Sequence, residues 1–377
     1  MKTKTIILIL LIIPITLSAQ IDSLKSKLSF EADFRFRVEQ DWNSKKSDGT
    51  FRSDRTRLRY RLRAGVIYED KWYSAGFRIR TGNPVKQQDP QLTLGAGFEE
   101  FGTLPIGLEK LYFQGKWNTF SFWVGKNTFP FEKSNELFWS DNVYPEGFFL
   151  QKGFQIKSKL IDSVNIRGGH FIISSLGRSL DQDAYFQGYQ AYIKFLENRI
   201  EIFPSFYRFK NVPNIPDGNE TFKIDYSILH VGTRLKLLKK PLVNIELDYY
   251  HNFNDYNQND SIPTNFKEQK SGMAIGLKYG ALKQKGDRLF KASYAYLQQY
   301  SAVDFMAQND WVRWDYSSFG SPDGRLTNFN GIELVVGFMV DKRTSLKIKY
   351  YVVEQLIPYG TTKETGSRIR LDLDVKF

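Results

Sequence analysis

Hydrophobic and polar residues alternate with a period of two along most of the chain. The run at 55–66 is the clearest case, because arginine stands at every second position and the residues between are mostly apolar. Its arginines are Arg55, Arg57, Arg59, Arg61 and Arg63, and its apolar positions are Leu58, Tyr60, Leu62, Ala64 and Val66. A helix would spread these charges around its circumference, whereas a strand places them all on one side. The pattern therefore predicts a strand with one cationic and one apolar face.

The same alternation recurs to the end of the chain. Further candidate strands cover 30–39, 71–81, 106–115, 119–128, 148–160, 164–174, 185–196, 200–210, 225–238, 243–253, 269–280, 288–299, 331–340, 344–356 and 367–377. With the run at 55 they make about sixteen strands, an even number typical of single-chain bacterial barrels. Tight connections alternate with long stretches rich in Gly, Pro, Asn and Asp. This arrangement predicts an all-β fold, a single transmembrane antiparallel β-barrel with short periplasmic turns and long extracellular loops.

The two ends of the chain extend this prediction. Residues 1–19 have the layout of a secretory signal peptide, with Lys2 and Lys4, an apolar stretch and Ala19 before the expected cleavage site. Residues 20–377 then form one barrel domain. The last strand should pair with the first, because an open sheet edge in lipid leaves backbone groups unsatisfied. A strand that ends in Phe377 is also the kind of signal that the barrel-assembly machinery reads, so we expect that machinery and outer-membrane lipid as partners.

Composition and charge narrow the function. The chain carries a net charge of +12, or +10 without the two lysines of the signal peptide, which suggests anionic partners. Export to the cell outer membrane makes nucleic acid an improbable partner. The mean hydropathy of −0.42 fits a barrel, in which only alternate residues face lipid. The chain contains no cysteine, and its three histidines lack metal-ligand spacing, so we expect neither an enzyme nor a metal or other cofactor.

Several segments between residues 57 and 147 resemble the porins called putative porins in Bacteroidota outer membranes, a family near the phosphate-selective and alginate-export barrels. The matching pieces are RLRYRLRAG at 57–65, SAGFRIRTGNPV at 74–85, LTLG at 92–95, LEKLYF at 108–113, VGKN at 124–127, PF at 130–131 and FWSDNVYPEG at 138–147. The resemblance implies an outer-membrane pore and names no cargo.

We expect arginines of the first three strands to line the lumen and favour anions. They are Arg35, Arg37, Arg55, Arg57, Arg59, Arg61, Arg63, Arg78 and Arg80. Acidic residues on the first strand are too few to neutralise them, although a paired, nearly neutral network remains an alternative. The long loop at 129–147 is a possible constriction loop, with Asp141 and Glu146 opposite the arginines; alternatively it caps the barrel rim. Aromatic residues of the longest loop, Trp311, Trp314, Tyr316 and Phe319, either stack on sugars or form the loop's own core.

The sequence thus predicts a channel for passive diffusion of small hydrophilic solutes, with a preference for small anions. Two other functions stay open. One is a dedicated transporter of an acidic polysaccharide or oligosaccharide, as the alginate-export kinship permits. The other is a binding or structural barrel whose lumen is plugged.

Overall fold

The computed structural model describes residues 27–88, 90–95, 102–156, 158–175, 179–215, 221–311 and 326–377. These residues form seventeen strands in one antiparallel sheet. The strands are β1 (Leu28–Trp42), β2 (Arg55–Glu69), β3 (Tyr73–Thr81), β4 (Leu92–Thr93), β5 (Ile106–Trp117), β6 (Phe120–Lys126), β7 (Glu146–Gln155), β8 (Ile161–Ser174), β9 (Ala184–Phe195), β10 (Ile200–Pro213), β11 (Lys223–Lys239), β12 (Leu242–Asn252), β13 (Ser271–Gly280), β14 (Arg288–Leu297), β15 (Phe329–Met339), β16 (Thr344–Gln355) and β17 (Thr365–Lys376). Short 3-10 turns cover Thr264–Phe266 and Asp304–Met306. The signal peptide predicted at 1–19 lies outside the described residues.

The sheet closes on itself. Strand β1 pairs with β17 in an antiparallel ladder, from Asp33 opposite Lys376 to Trp42 opposite Ser367. Strand β4 has only two residues and extends the wall beside β2, and the other sixteen strands make up the barrel. The predicted closed antiparallel barrel of about sixteen strands is therefore confirmed.

Short turns and both described ends of the chain lie at one rim, and the long loops lie at the other. One predicted turn is misplaced. Asp162 and Ser163, expected between two strands, lie inside β8, which begins at Ile161. The reason is a register shift between Ile161 and Ser163, which lets β8 pair with β9 from Ile161 onward, three residues earlier than expected.

The outer face is apolar. Leucines and isoleucines such as Leu62, Ile369 and Leu371 are exposed there, as a lipid-facing surface requires. At the short-turn rim, aromatic rings form one cluster, in which Trp72 and Trp117 stack with ring centroids 5.0 Å apart, as suits the interface between lipid and water. The described part of the chain contains no helix with the length and apolarity that crossing a bilayer requires.

The interior is divided into two halves. The inward residues of β6–β12 are largely aromatic and form the buried core of the molecule. They include Trp123, Phe149, Phe171, Phe186, Tyr207, Phe209, Tyr226 and Tyr250. The inward residues from β13 through β17 to β5 border the open part of the lumen. Those of β17, β1 and β2 are largely charged, whereas those of β13–β15 mix charged residues with small and apolar ones. We call this side the charged half. Any route for a solute therefore runs along the charged half.

Candidate functional site

The inward faces of β17, β1 and β2 carry charged side chains in rungs that cross the sheet. The strand register places Asp374 beside Arg35, and Arg35 beside Arg61. The next rungs toward the long loops are Asp372–Arg37–Arg59, Arg370–Glu39–Arg57 and Arg368–Asp41–Arg55. Each of these four rungs contains two arginines and one carboxylate. The wall is therefore cationic, but far from uniformly so.

Each rung carboxylate is bonded to arginines of the neighbouring strands. Arg37 donates two hydrogen bonds to the Asp372 carboxylate, one of 2.5 Å from Nε and one of 2.8 Å from Nη2. Glu39 accepts a bond of 2.5 Å from Arg370 and a second bond from Arg57. Both carboxylates are fully buried, where an unpaired charge would cost several kcal/mol. The acids of the first strand alone predict less pairing than this, because β17 supplies Asp372 and Asp374 as well.

A β-bulge places a further carboxylate among the arginines. The register between β3 and β5 shifts at Arg78, and Glu109 becomes the extra residue, turned inward. Its Oε1 accepts a hydrogen bond of 2.9 Å from Nε of Arg63, and its Oε2 accepts one of 2.6 Å from Nε of Arg78. The Nε of Arg80 lies 3.9 Å from the same carboxylate. One glutamate thus serves three guanidinium groups.

The loop between β6 and β7, residues 127–145, lies inside the barrel and packs on its aromatic half. The Phe138 ring stacks on Tyr207 and Tyr250, with centroid distances of 4.8 and 5.4 Å. The Phe131 ring fills space at Gly188 of β9, where an added Cβ would come within 2.4 Å of it. Because these rings fill the aromatic half, the loop narrows the lumen to a path along the charged half.

Two acids of this loop face the charged wall. Glu136 and Asp141 line the same cavity as the rung arginines, and Glu136 accepts a bond of 3.0 Å from the Asp141 amide. Burial and the nearby Asp141 carboxylate raise the pKa of Glu136 above its ordinary value. The constriction role predicted for Glu146 is wrong. Glu146 begins β7, pairs with Lys126 and is exposed on the outer face. The reason is that β7 starts two residues earlier than predicted, with the opposite parity from the inward Phe149.

A second loop reaches the wall from the other side. This loop, residues 298–311, follows β14. Its Met306 carbonyl accepts a hydrogen bond of 2.8 Å from the Ser140 amide of the 127–145 loop. The Asp310 carboxylate forms an ion pair with Arg370 and lies 3.3 Å from Nζ of Lys349. Although burial opposes its charge, these two cations hold the pKa of Asp310 well below its ordinary value.

Two cavities that share lining residues lie in the part of the lumen that the structure describes. The first, of about 310 Å³, is lined by eight basic and three acidic side chains. The second, of about 440 Å³, is lined by four basic and five acidic side chains. Glu136, Asp141, Asp310, Lys347 and Lys349 line both, so they mark the junction. We call the first the cationic cavity.

The structure brings five of the nine predicted arginines to the cationic cavity. They are Arg35, Arg37, Arg59, Arg61 and Arg63. Arg55 and Arg57 are paired nearer the loop rim and line neither cavity, and Arg78 is held by Glu109 and Tyr144.

Arg80 was predicted to line the pore, and that prediction is wrong. Its side chain is buried, and its Nη atoms donate to the carbonyls of Thr81, Asn83 and Lys86, at 2.8, 3.1 and 2.8 Å. Because β3 ends at Thr81, the chain turns inward there and presents these carbonyls to the guanidinium. Arg80 therefore shapes the 82–95 segment.

Several residues that line the cavities were not predicted from the sequence. The alternation that places the arginines of β2 inward also holds on β16 and β17. It therefore predicts that Lys347, Lys349 and Arg370 point inward. Only closure of the barrel reveals that Arg370 stands beside β1, with Lys347 and Lys349 one strand further from it. Glu136 and Asp310 lie on loops without periodicity, and nothing in the sequence marks them. Trp311 is buried against Phe329 and Tyr351, while Trp314, Tyr316 and Phe319 lie outside the described residues.

The histidines serve packing in the described structure. His230 is buried, stacks on Tyr250 with centroids 4.7 Å apart, and bonds to Asp248 at 2.8 Å. Asp248 in turn accepts 2.8 Å from Asn135, which helps to hold the 127–145 loop. Within the described residues, no group of three or more His, Asp or Glu residues is arranged to hold a metal ion.

Comparison with known proteins gives a family match for part of the chain and a likeness in fold. Residues 49–227 match the family model described as putative porin. Among solved structures, a double mutant of the Rhodopseudomonas blastica porin aligns with a TM-score of 0.51 and 11% identity, covering 93% of this chain and 100% of that chain. A triple mutant of the same porin aligns with a TM-score of 0.50, 10% identity and the same coverage. No curated protein matches. At these identities the structural likeness concerns the fold alone.

Proposed function

We propose that this chain, whose residues 49–227 belong to the putative porin family, is an outer-membrane channel that lets small hydrophilic solutes diffuse with a preference for anions. The family and the closed barrel support passive diffusion, and they imply location in the outer membrane. The channel does no covalent chemistry. Its selectivity comes from the charges along the path.

The observation that carries the anion preference is the lining of the cationic cavity. Eight basic against three acidic side chains give it a formal charge of +5. A charge 4 Å from a passing ion contributes about 1 kcal/mol in water and about 4 kcal/mol at the effective dielectric of a protein surface. Even after pairing within the rungs, the surplus should lower the free energy of an anion and raise that of a cation.

The loop acids give the field a direction. Glu136 and Asp141 belong to the loop packed on the aromatic half, whereas the arginines belong to the opposite wall. An anion crossing the cationic cavity is therefore drawn toward the arginines and away from the loop. This arrangement supports the constriction role proposed for Asp141.

Reversal potentials in planar bilayers test the proposal. With a tenfold KCl gradient across the membrane, the zero-current potential should have the sign of chloride permeation. The 310 Å³ cavity also predicts saturable conductance with larger anions such as citrate. A reversal potential of the opposite sign, at neutral pH, would refute the anion preference and leave only a general channel.

An acidic oligosaccharide is a second candidate solute. A guanidinium group can bind a carboxylate with two parallel hydrogen bonds, as Arg37 binds Asp372, and the arginines of the rungs offer several such groups along the wall. Uronate oligomers should then block the conductance at lower concentration than neutral oligosaccharides of the same length. Equal block by both would remove this candidate.

We also propose that the assembly machinery recognises the last strand. The Phe377 side chain is 67% exposed beyond the end of β17, and its amide donates 3.0 Å to the Ala32 carbonyl. Phe377→Ala should reduce the fraction of folded barrel in outer membranes, measured by heat-modifiable gel mobility. It should leave refolding in detergent unchanged, because the variant keeps the amide that bonds to Ala32 and loses only the side chain.

A further inference from the structure

The carboxylate of Asp310 occupies a place where a mobile anion would be expected. It lies against Arg370 and Lys349, and its Oδ2 is 3.4 Å from the Tyr351 hydroxyl. These partners all belong to the wall strands β16 and β17, whereas Asp310 belongs to a loop. Its side chain is 21% exposed and lines both cavities, so it is accessible to solutes in either of them.

The loop presents this carboxylate through contacts that do not involve its charge. The Arg368 side chain donates a hydrogen bond of 2.8 Å to the Asp310 carbonyl, and the Asn309 side chain donates one of 2.6 Å to the Gln88 carbonyl. The neighbouring Trp311 ring packs on Tyr351 with centroids 5.6 Å apart. The backbone near residue 310 is thus held from several sides. Replacing the carboxylate by an amide should leave the loop in place.

We propose that Arg370 and Lys349 form an anion-binding site for carboxylate or phosphate groups, and that Asp310 fills it as a tethered counter-ion. The inference deepens the proposed function and rests on it for its conductance readout. With Asp310 in place, Arg370 and Lys349 already have a carboxylate partner. A passing anion meets the weaker surplus of the surrounding wall and leaves quickly, as conduction requires.

The test compares two variants that change the net charge equally. Asp310→Asn removes the carboxylate bound to the wall. Asp141→Asn removes a carboxylate that lines the same two cavities but bonds to Lys133 of its own loop, at 2.6 Å. Both make the junction more positive by one charge, so any difference between them reports the site itself. The probe is pyrophosphate, which carries several oxygen acceptors.

In single-channel recordings, half-block of Asp310→Asn by pyrophosphate should need at least about tenfold less anion than half-block of wild type. Asp141→Asn should differ from wild type by less than threefold. Adding Lys349→Gln to Asp310→Asn should restore the wild-type blocking concentration, because it removes a cation of the site. Titration calorimetry on the detergent-solubilised proteins should give the same order of affinities.

Three outcomes would overturn the inference. They are equal sensitivity of the two single variants, unchanged block after Lys349→Gln is added, and no calorimetric binding to Asp310→Asn. The calorimetry separates this failure from failure of the proposed function. A barrel that binds pyrophosphate in the predicted order but never conducts would refute the channel and support the site.

Discussion

Truncation of Phe138 to alanine should release the 127–145 loop from the barrel wall. The ring is 2% exposed and stacks on Tyr207, Tyr250 and His230, so it anchors the loop on the aromatic half. Removing a buried phenylalanine side chain costs about 3–5 kcal/mol in protein cores. Here that cost falls on the docked state of the loop, because the barrel strands keep their hydrogen bonds.

This cost converts directly into a population. Each 1.4 kcal/mol is about a factor of ten, so the detached fraction of the loop should rise by about two to three orders of magnitude. Local opening of this kind is read out by proteolysis when opening and closing are fast. Trypsin cleavage after Lys133, which lies in the loop, should accelerate by at least about a hundredfold. Single-channel current should also show more frequent steps to a higher conductance.

A matched control removes the same side chain from the other face of the wall. Phe148→Ala deletes a ring of β7 that is 48% exposed toward lipid and does not touch the loop. It should leave cleavage after Lys133 within about twofold of wild type. The reasoning is refuted if Phe138→Ala folds, as judged by heat-modifiable gel mobility, and its loop is still cleaved at the wild-type rate.

Three further predictions concern charge. Arg59→Ser, at a cavity-lining position, should lower the chloride-over-potassium permeability ratio more than Arg55→Ser, whose arginine lines neither cavity; equal effects would contradict the assigned path. Because the pKa of Glu136 is raised, acidification from pH 7 to 5 should neutralise it before an ordinary carboxylate and increase the anion preference, and Glu136→Gln should be anion-selective to the same degree at both pH values. Glu109→Gln leaves three buried guanidinium groups without their carboxylate and should cost about 3–5 kcal/mol of unfolding free energy in urea. The exposed Glu146→Gln should cost less than about 0.5 kcal/mol, and a similar loss in both would show that burial is irrelevant.

The alternation of residues by itself determined the strands, their number and the inward direction of the ladder. A strand's two faces are set by the local geometry of successive residues, so Arg59 and Leu62 could be assigned to opposite faces without a tertiary model. The need to satisfy every backbone group in lipid then required closure, which joins β17 to β1.

Only the tertiary structure decided how much of that charge a solute can meet. Asp372 and Arg370 neighbour β1 through closure, more than 300 residues away in sequence, and Glu109 turns inward through a single-residue bulge. Loop positions such as Asp310 follow no repeat, because their placement depends on the walls they pack against. Local periodicity sets the direction of a side chain, whereas its partner is set by contacts between distant segments. For this reason the sequence indicated a cationic wall, and only the folded barrel showed where the surplus charge remains.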